Sequence, residues 1–263
     1  MRGFLYHRPA NLPGALALLG ANAEARPMAG GMSLLPVLKL HLAAPEALVD
    51  LTDIPALDGI AVADGVLTIG AMARHASVAR SDVVRGVIPA LAALAGGIGD
   101  PQVRNRGTLG GSLANADPAA DYPAGVLALG ATIVTDRREI AADAFFTGLF
   151  ATALQPGELI TAVRFPVPLR AGYATQRNPA SRYAIAGVFV AQFADGTRVA
   201  VTGAGPCAFR VPEMEAALAA DFAPAVLSGI TVSEAGLNAD LHAEAAYRAH
   251  LIGVLARRAV AGS

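Results

Sequence analysis

The sequence predicts an α+β fold in which antiparallel sheets and helices follow one another without a regular βαβ alternation. Three observations carry that expectation. Asp64-Gly65 and Asp195-Gly196 each sit between short apolar runs and mark two β-hairpins. Pro166 and Pro168 interrupt the chain at residues 166–172 and divide it there. Near the end, Tyr247, Leu251, Val254 and Leu255 recur at helical spacing, the stripe of an amphipathic helix.

The elements follow in order. Residues 4–7 read as a strand and residues 12–19 as a helix ending at Gly20. After Arg26-Pro27-Met28-Ala29-Gly30-Gly31, residues 34–40 read as a helix or tight turn and residues 47–51 as a strand. The second zone opens with the hairpin 60–63 and 66–69. Residues 89–95 form a helix that Gly96 and Gly97 close in the glycine C-cap pattern. A glycine-rich segment at 107–112 and an apolar helix at 123–129 come next. Strands at 131–135, 139–141 and 159–165 complete the zone, with Asp136 to Glu139 as a solvated hairpin turn. In the third zone, 185–193 and 198–201 flank the second Asp-Gly turn.

Composition narrows the function. A chain of 263 residues buries a core without disulfide or metal support. Its net charge of -1 gives no general pull toward nucleic acid or an anionic membrane. Cys207 is the only cysteine, which excludes an intrachain disulfide, a cysteine-ligated iron–sulfur cluster and a multi-cysteine zinc site. It reads as a small buried hydrophobe. His7, His41, His75, His242 and His250 form no ligand pair, so no metal site is expected. No apolar run reaches the roughly 18 residues that span a bilayer. Arg2 and Arg8 ahead of residues 12–20 look like the start of a signal peptide. Pro9, Asn11 and Pro13 crowd that junction, however, and a capped helix accounts for the stretch, so the expected location is cytoplasmic.

Two glycine-rich segments point to chemistry. They are Ala29-Gly30-Gly31-Met32-Ser33-Leu34 and Gly107-Thr108-Leu109-Gly110-Gly111-Ser112-Leu113-Ala114-Asn115. Glycine permits positive φ and close backbone approach, and successive N–H groups can then converge on an anion. Ser33, Thr108 and Ser112 add hydroxyl donors. Neither segment matches G-x-x-x-x-G-K-[ST] or G-x-G-x-x-G, which argues against a P-loop and a Rossmann fold. Two loops suit a diphosphate gripped from both sides, although Gly-Gly pairs also occur in ordinary turns.

The first of these segments resembles the A-G-G-[HT]-S-L loop of FAD-binding domains of the p-cresol methylhydroxylase (PCMH) type. The run from Gln102 through Gly107-Thr108-Leu109-Gly110-Gly111-Ser112 to Ala124 is similar to the second FAD motif of medium subunits in the xanthine dehydrogenase and aerobic carbon monoxide dehydrogenase group. The resemblance covers nearly the whole chain, including Glu158 to Pro166 and Tyr247 to Arg258. It implies a PCMH-type domain over residues 1–168, made of α/β subdomains of about 1–54 and 55–168. A small antiparallel-sheet-plus-helices domain of the carbon monoxide dehydrogenase flavoprotein type would follow over 172–263.

The resemblance also assigns roles. The backbone around Ala29, Gly30, Gly31, Met32, Ser33 and Leu34, and that around Thr108, Gly110, Gly111, Ser112 and Asn115, would wrap the FAD pyrophosphate. Asp121 would reach the adenosine ribose, Ile98 would lie against the isoalloxazine, and Leu159 would meet the cofactor through its backbone. Gln176, beside Arg177, stands where relatives often carry a ring-proximal lysine, and Met32 replaces a commoner histidine or threonine. Tyr183 suits either the flavin or the core. Arg104 and Arg106 suit phosphate, solvent or an interface, and Asp117 either caps the turn before Pro118 or touches ligand.

No catalytic residue is expected here. The resemblance implies that this chain assembles with a small subunit carrying two [2Fe-2S] clusters and a large molybdopterin-molybdenum subunit, commonly in a dimer of heterotrimers, and that FAD takes electrons from the nearer cluster. FAD would then pass electrons to an external acceptor. A self-contained flavin oxidase or reductase and a flavin-free scaffold are the alternatives. Carbon monoxide, a purine, a nicotine-like heterocycle and an aldehyde all remain open as substrates of the assembly.

Overall fold

A computed structural model describes residues 3–263. The N-terminal lobe comprises β1 (Leu5–His7), α1 (Leu12–Ala21), β2 (Ala25–Met28), α2 (Leu34–Lys39) and β3 (Ala47–Asp50). Its sheet has the order β1-β3-β2 and is parallel, unlike the antiparallel pairing expected. Parallel neighbours need crossover connections, and α1 and α2 supply them. The side chain of Asn11 caps α1 by accepting from Gly14 N at 2.8 Å, and Pro13 fits its first turn. The helix runs one residue past Gly20, with Ala15 and Leu19 buried. Strand β2 has no legible period, because Arg26 and Pro27 are exposed between buried Ala25 and Met28.

The central lobe begins with the hairpin β4 (Ile60–Ala63) and β5 (Val66–Gly70). Asp64 and Gly65 both adopt positive φ, 49° and 72°, as a two-residue turn of this hand requires. Six helices follow: α3 (His75–Arg80), α4 (Asp82–Val87), α5 (Pro89–Gly97), α6 (Pro101–Arg106), α7 (Leu109–Asn115) and α8 (Tyr122–Ala128). Then come β6 (Thr132–Thr135), β7 (Glu139–Ala141), β8 (Phe146–Gly148), β9 (Ala151–Thr152) and β10 (Ile160–Pro166). The antiparallel sheet has the order β4-β5-β10-β6-β7. Helix α5 continues through Gly96 and Gly97 instead of being capped by them. Gly97 serves a different need: a Cβ there would lie 2.5 Å from Nη2 of Arg177.

The C-terminal lobe contains β11 (Arg170–Arg177), β12 (Ala184–Phe193), β13 (Gly196–Thr202), β14 (Phe209–Arg210), α9 (Pro212–Ala220) and α10 (Ala245–Ala261). One face of this antiparallel sheet, with Val188, Val190 and Val201, packs on Leu251, Ile252 and Leu255 of α10. The other, with Phe189, Ala191 and Ala200, enters the core of the central lobe. The helical stripe of α10 is present, but Tyr247 is exposed. Arg248 is buried instead, donating to the carbonyls of Ile185 and Gly203 and to Asp240. Cys207 is only half-buried. Among the described residues, no helix is long and apolar enough to cross a membrane, and no His/Cys/Asp/Glu cluster could hold a metal ion.

Candidate functional site

A cleft of about 520 Å³ lies where loops of the three lobes meet. Its wall includes residues 26–34 after β2, Ile98 and Gly99 after α5, and Thr108, Gly110, Gly111, Ser112 and Asn115 of the second segment. Asp117, Asp121, residues 158–160 and Ser181, Arg182 and Tyr183 complete it.

The first segment presents an open row of donors. Among the described residues, the amides of Ala29, Gly30, Gly31, Met32, Ser33 and Leu34 have no hydrogen-bond acceptor, and neither does the Ser33 hydroxyl. Gly31 turns the loop at φ 74°. Gly30 lets the two segments touch: a Cβ there would lie 2.0 Å from the Arg106 carbonyl oxygen.

The second segment contributes differently from expectation. Leu109 N donates to Ala73 O, Gly110 N to Ala71 O, Gly111 N to Thr108 Oγ1 and Ser112 N to Thr108 O. Those amides anchor α7 to the central lobe and hold Thr108 as its N-cap. What faces the cleft is the Thr108 hydroxyl, Ser112 and Asn115, the last two without side-chain partners among the described residues. A bulky side chain at Gly111 collides first with this cap, since its Cβ would lie 2.8 Å from Thr108 Oγ1.

Asp121 is buried at the cleft wall and firmly held. Tyr173 OH donates to its Oδ1 at 2.5 Å, and Arg177 donates to both oxygens at 3.1 and 3.3 Å. Burial raises its pKa, while Arg177 and Tyr173 pull it back. Arg177 also donates to the carbonyl of Arg182, whose φ of 63° is left-handed. Gln176, by contrast, lies on β11 away from the cleft wall, paired with Ala186. Tyr183 and Asp117 both line the cleft; Asp117 accepts from Ala119 N, closing the turn through Pro118, and burial raises its pKa. Ile98 lines the cleft too, and Arg104 clasps that corner by donating to the carbonyls of Ile98 and Gly99. Neither Arg104 nor Arg106 lines the cleft.

The charged hairpin at 136–139 is not simply solvated. Asp136 accepts from Leu159 N at 2.7 Å, and Asp136 N donates to Leu159 O at 3.0 Å. Leu159 thus lines the cleft with its amide and its carbonyl both hydrogen-bonded to Asp136. Next to it, Arg138, Gln155 N and Thr135 donate to Glu158, whose pKa falls to about 2 through the Arg138 hydrogen bond first and the other donors after it. A depressed carboxylate stabilises the fold above its unfolded pKa, and that contribution disappears as pH falls from about 4.5 toward 2. Arg138→Met is therefore expected to unfold at a higher pH during acid titration followed by circular dichroism. An unchanged acid midpoint would contradict this role.

Sequence reasoning missed Tyr173, the Arg177 clasp, Asp136 and Glu158. Strand β11 mixes polar and apolar residues throughout, so no local signal marked Tyr173 or Arg177, and for Asp136 and Glu158 there was none either.

Fold and cleft define a lobed protein whose cleft is lined by open backbone amides, hydroxyls and the buried carboxylates of Asp121 and Glu158. Residues 2–168 match the family described as the FAD binding domain in molybdopterin dehydrogenase. The carbon monoxide dehydrogenase medium chain of Afipia carboxidovorans is 37% identical, with 98% of this chain and 95% of that one covered. The nicotine 6-hydroxylase medium subunit of Paenarthrobacter nicotinovorans is 36% identical, over 97% and 95%. In the solved carbon monoxide dehydrogenase of Hydrogenophaga pseudoflava, one chain superposes with a TM-score of 0.90 at 35% identity, covering 99% of this chain and 97% of that one. The chain belongs to the FAD-binding medium subunits of the molybdenum hydroxylase family, which are parts of oxidoreductases. The cleft fits FAD. Its open amides at 29–34 match a pyrophosphate, and its volume lies within the range of small-molecule sites.

Proposed function

We propose that this chain is the electron-transfer subunit of a heterotrimeric molybdenum hydroxylase, acting in the cytoplasm with a small [2Fe-2S] subunit and a large molybdopterin subunit, in a dimer of heterotrimers. Residues 1–168 are read as the cofactor-holding domain and 172–263 as the C-terminal domain. The observation that carries the reading is the row of unpartnered amides from Ala29 to Leu34 opposite Thr108, Ser112 and Asn115.

In this reading Gly30, Gly31 and Ser33 hold the pyrophosphate through N–H groups that need no rearrangement. Ser112 and Asn115 donate from the facing wall. Asp121, kept in place by Arg177 and Tyr173, accepts from the ribose hydroxyls, and Ile98 packs against the ring. FAD bound there supplies the exchange of electrons between one-electron carriers and an external acceptor. Cys207 alone cannot ligate an iron–sulfur cluster, so the clusters belong to another polypeptide. The names of the relatives, medium chain and medium subunit, support an assembly of several chains.

The test is native purification through a tag on this chain, with iron, molybdenum and co-purifying polypeptides measured together. Iron, molybdenum and two further chains are expected. A lone chain without either metal would overturn the assembly.

A further inference from the structure

His75 opens α3 and is buried, yet it lines the cleft. Its Nδ1 is buried without a partner, whereas Nε2 is not among the enclosed, unpartnered atoms. The ring is fixed in place. It packs on Tyr122 with centroids 5.3 Å apart, and its own amide donates to Gly107 O. Nε2 sits against Gly107, where a Cβ would approach it to 2.5 Å. The other side of Gly107 meets Gly30, because a Cβ on Gly30 would lie 2.8 Å from the Gly107 Cα. Gly107 is thus pinched between Gly30 and His75, and Nε2 stands at the seam of the two glycine segments.

The protonation state follows from the same surroundings. Burial first, then the Arg104 guanidinium, lower the His75 pKa to about 4, so the ring is neutral at physiological pH. A neutral imidazole carries one proton. On Nδ1 that proton would be a buried donor with no acceptor, the rarer and costlier defect, whereas a bare Nδ1 lone pair is better tolerated. The proton therefore belongs on Nε2, a donor that is not enclosed and has no protein acceptor among the described residues.

We infer that His75 is a further cofactor-binding residue, donating from neutral Nε2–H to an acceptor oxygen of the flavin nucleotide at the junction of the glycine segments. This rests on the flavin reading above. The donor adds a directional contact deep in the cleft without adding charge, complementing the open amides of the first loop.

The test uses the native complex, stripped of flavin and titrated with FAD, with affinity read from quenching of flavin fluorescence. His75→Phe keeps the ring volume and removes the donor, and FAD affinity is expected to fall roughly tenfold, as for one buried hydrogen bond. His75→Gln places an amide donor near the Nε2 position and is expected to recover most of the loss. His75→Asn, whose donor falls short, is expected to behave like the Phe variant. The thermal midpoint of each flavin-free complex separates this from misfolding. Equal affinity in wild type and His75→Phe overturns the inference, as does a Gln variant no better than Asn. Absence of FAD uptake by the wild-type complex would sink the flavin reading itself, a different and visible failure.

Discussion

Gly30→Val is expected to abolish flavin retention, with at least a 100-fold loss of FAD affinity. The residue sits where the first glycine loop touches the second segment. Its Cβ would lie 2.0 Å from the Arg106 carbonyl oxygen and 2.6 Å from the carbonyl carbon. Those are backbone atoms, so neither side can yield by a rotamer change. Overpacking typically costs about 1–3 kcal/mol, and a clash with backbone atoms falls at the upper end of that range. The strain falls on the loop whose open amides face the cleft, and a shift of that loop scatters the donors that hold the pyrophosphate. Flavin-to-protein ratio from visible absorbance measures the effect, with circular dichroism as the control for folding. A folded variant with full flavin would show that the first loop does not hold the cofactor.

The second large effect is expected from Arg177→Met. Asp121 is buried with only Tyr173 and Arg177 as side-chain partners among the described residues, and removing the guanidinium leaves a carboxylate without its cation. Stranding one member of a buried pair costs about 3–5 kcal/mol. The thermal midpoint of the complex is therefore expected to drop by several degrees. Arg177 also holds the left-handed Arg182 carbonyl at the cleft wall, so flavin affinity is expected to fall with it. Asp121→Asn in the same chain removes the stranded charge, and the double variant is expected to be more stable than Arg177→Met alone. Strictly additive losses would contradict the pairing.

These effects bear on what the sequence could and could not reveal. Asp-Gly turns and proline breaks announced the hairpins and the change of sheet between β10 and β11, because those signals are local. The glycine segments were legible for the same reason. Strand β2 was hidden because it buries only its ends, and the parallel order of its sheet depends on crossovers that no local pattern encodes. Whether an amide is open or already bonded is a tertiary fact. The glycines of both segments looked alike, yet Gly110 and Gly111 anchor a helix while Gly30 and Gly31 keep their N–H groups for the cleft. Asp136 resembled a surface charge until Leu159 was folded against it. Arg248 broke the apolar stripe of α10 and is nevertheless buried, because two backbone carbonyls and Asp240 accept from its terminal nitrogens, while Nε stays without a partner.

The most direct test of the central claim is the FAD content of the native complex, extracted and quantified per copy of this chain. One FAD per copy is expected, lost selectively in Gly30→Val while the other cofactors of the assembly stay at wild-type levels. An assembly containing this chain but no flavin, or one whose flavin survives Gly30→Val undiminished, would contradict the account.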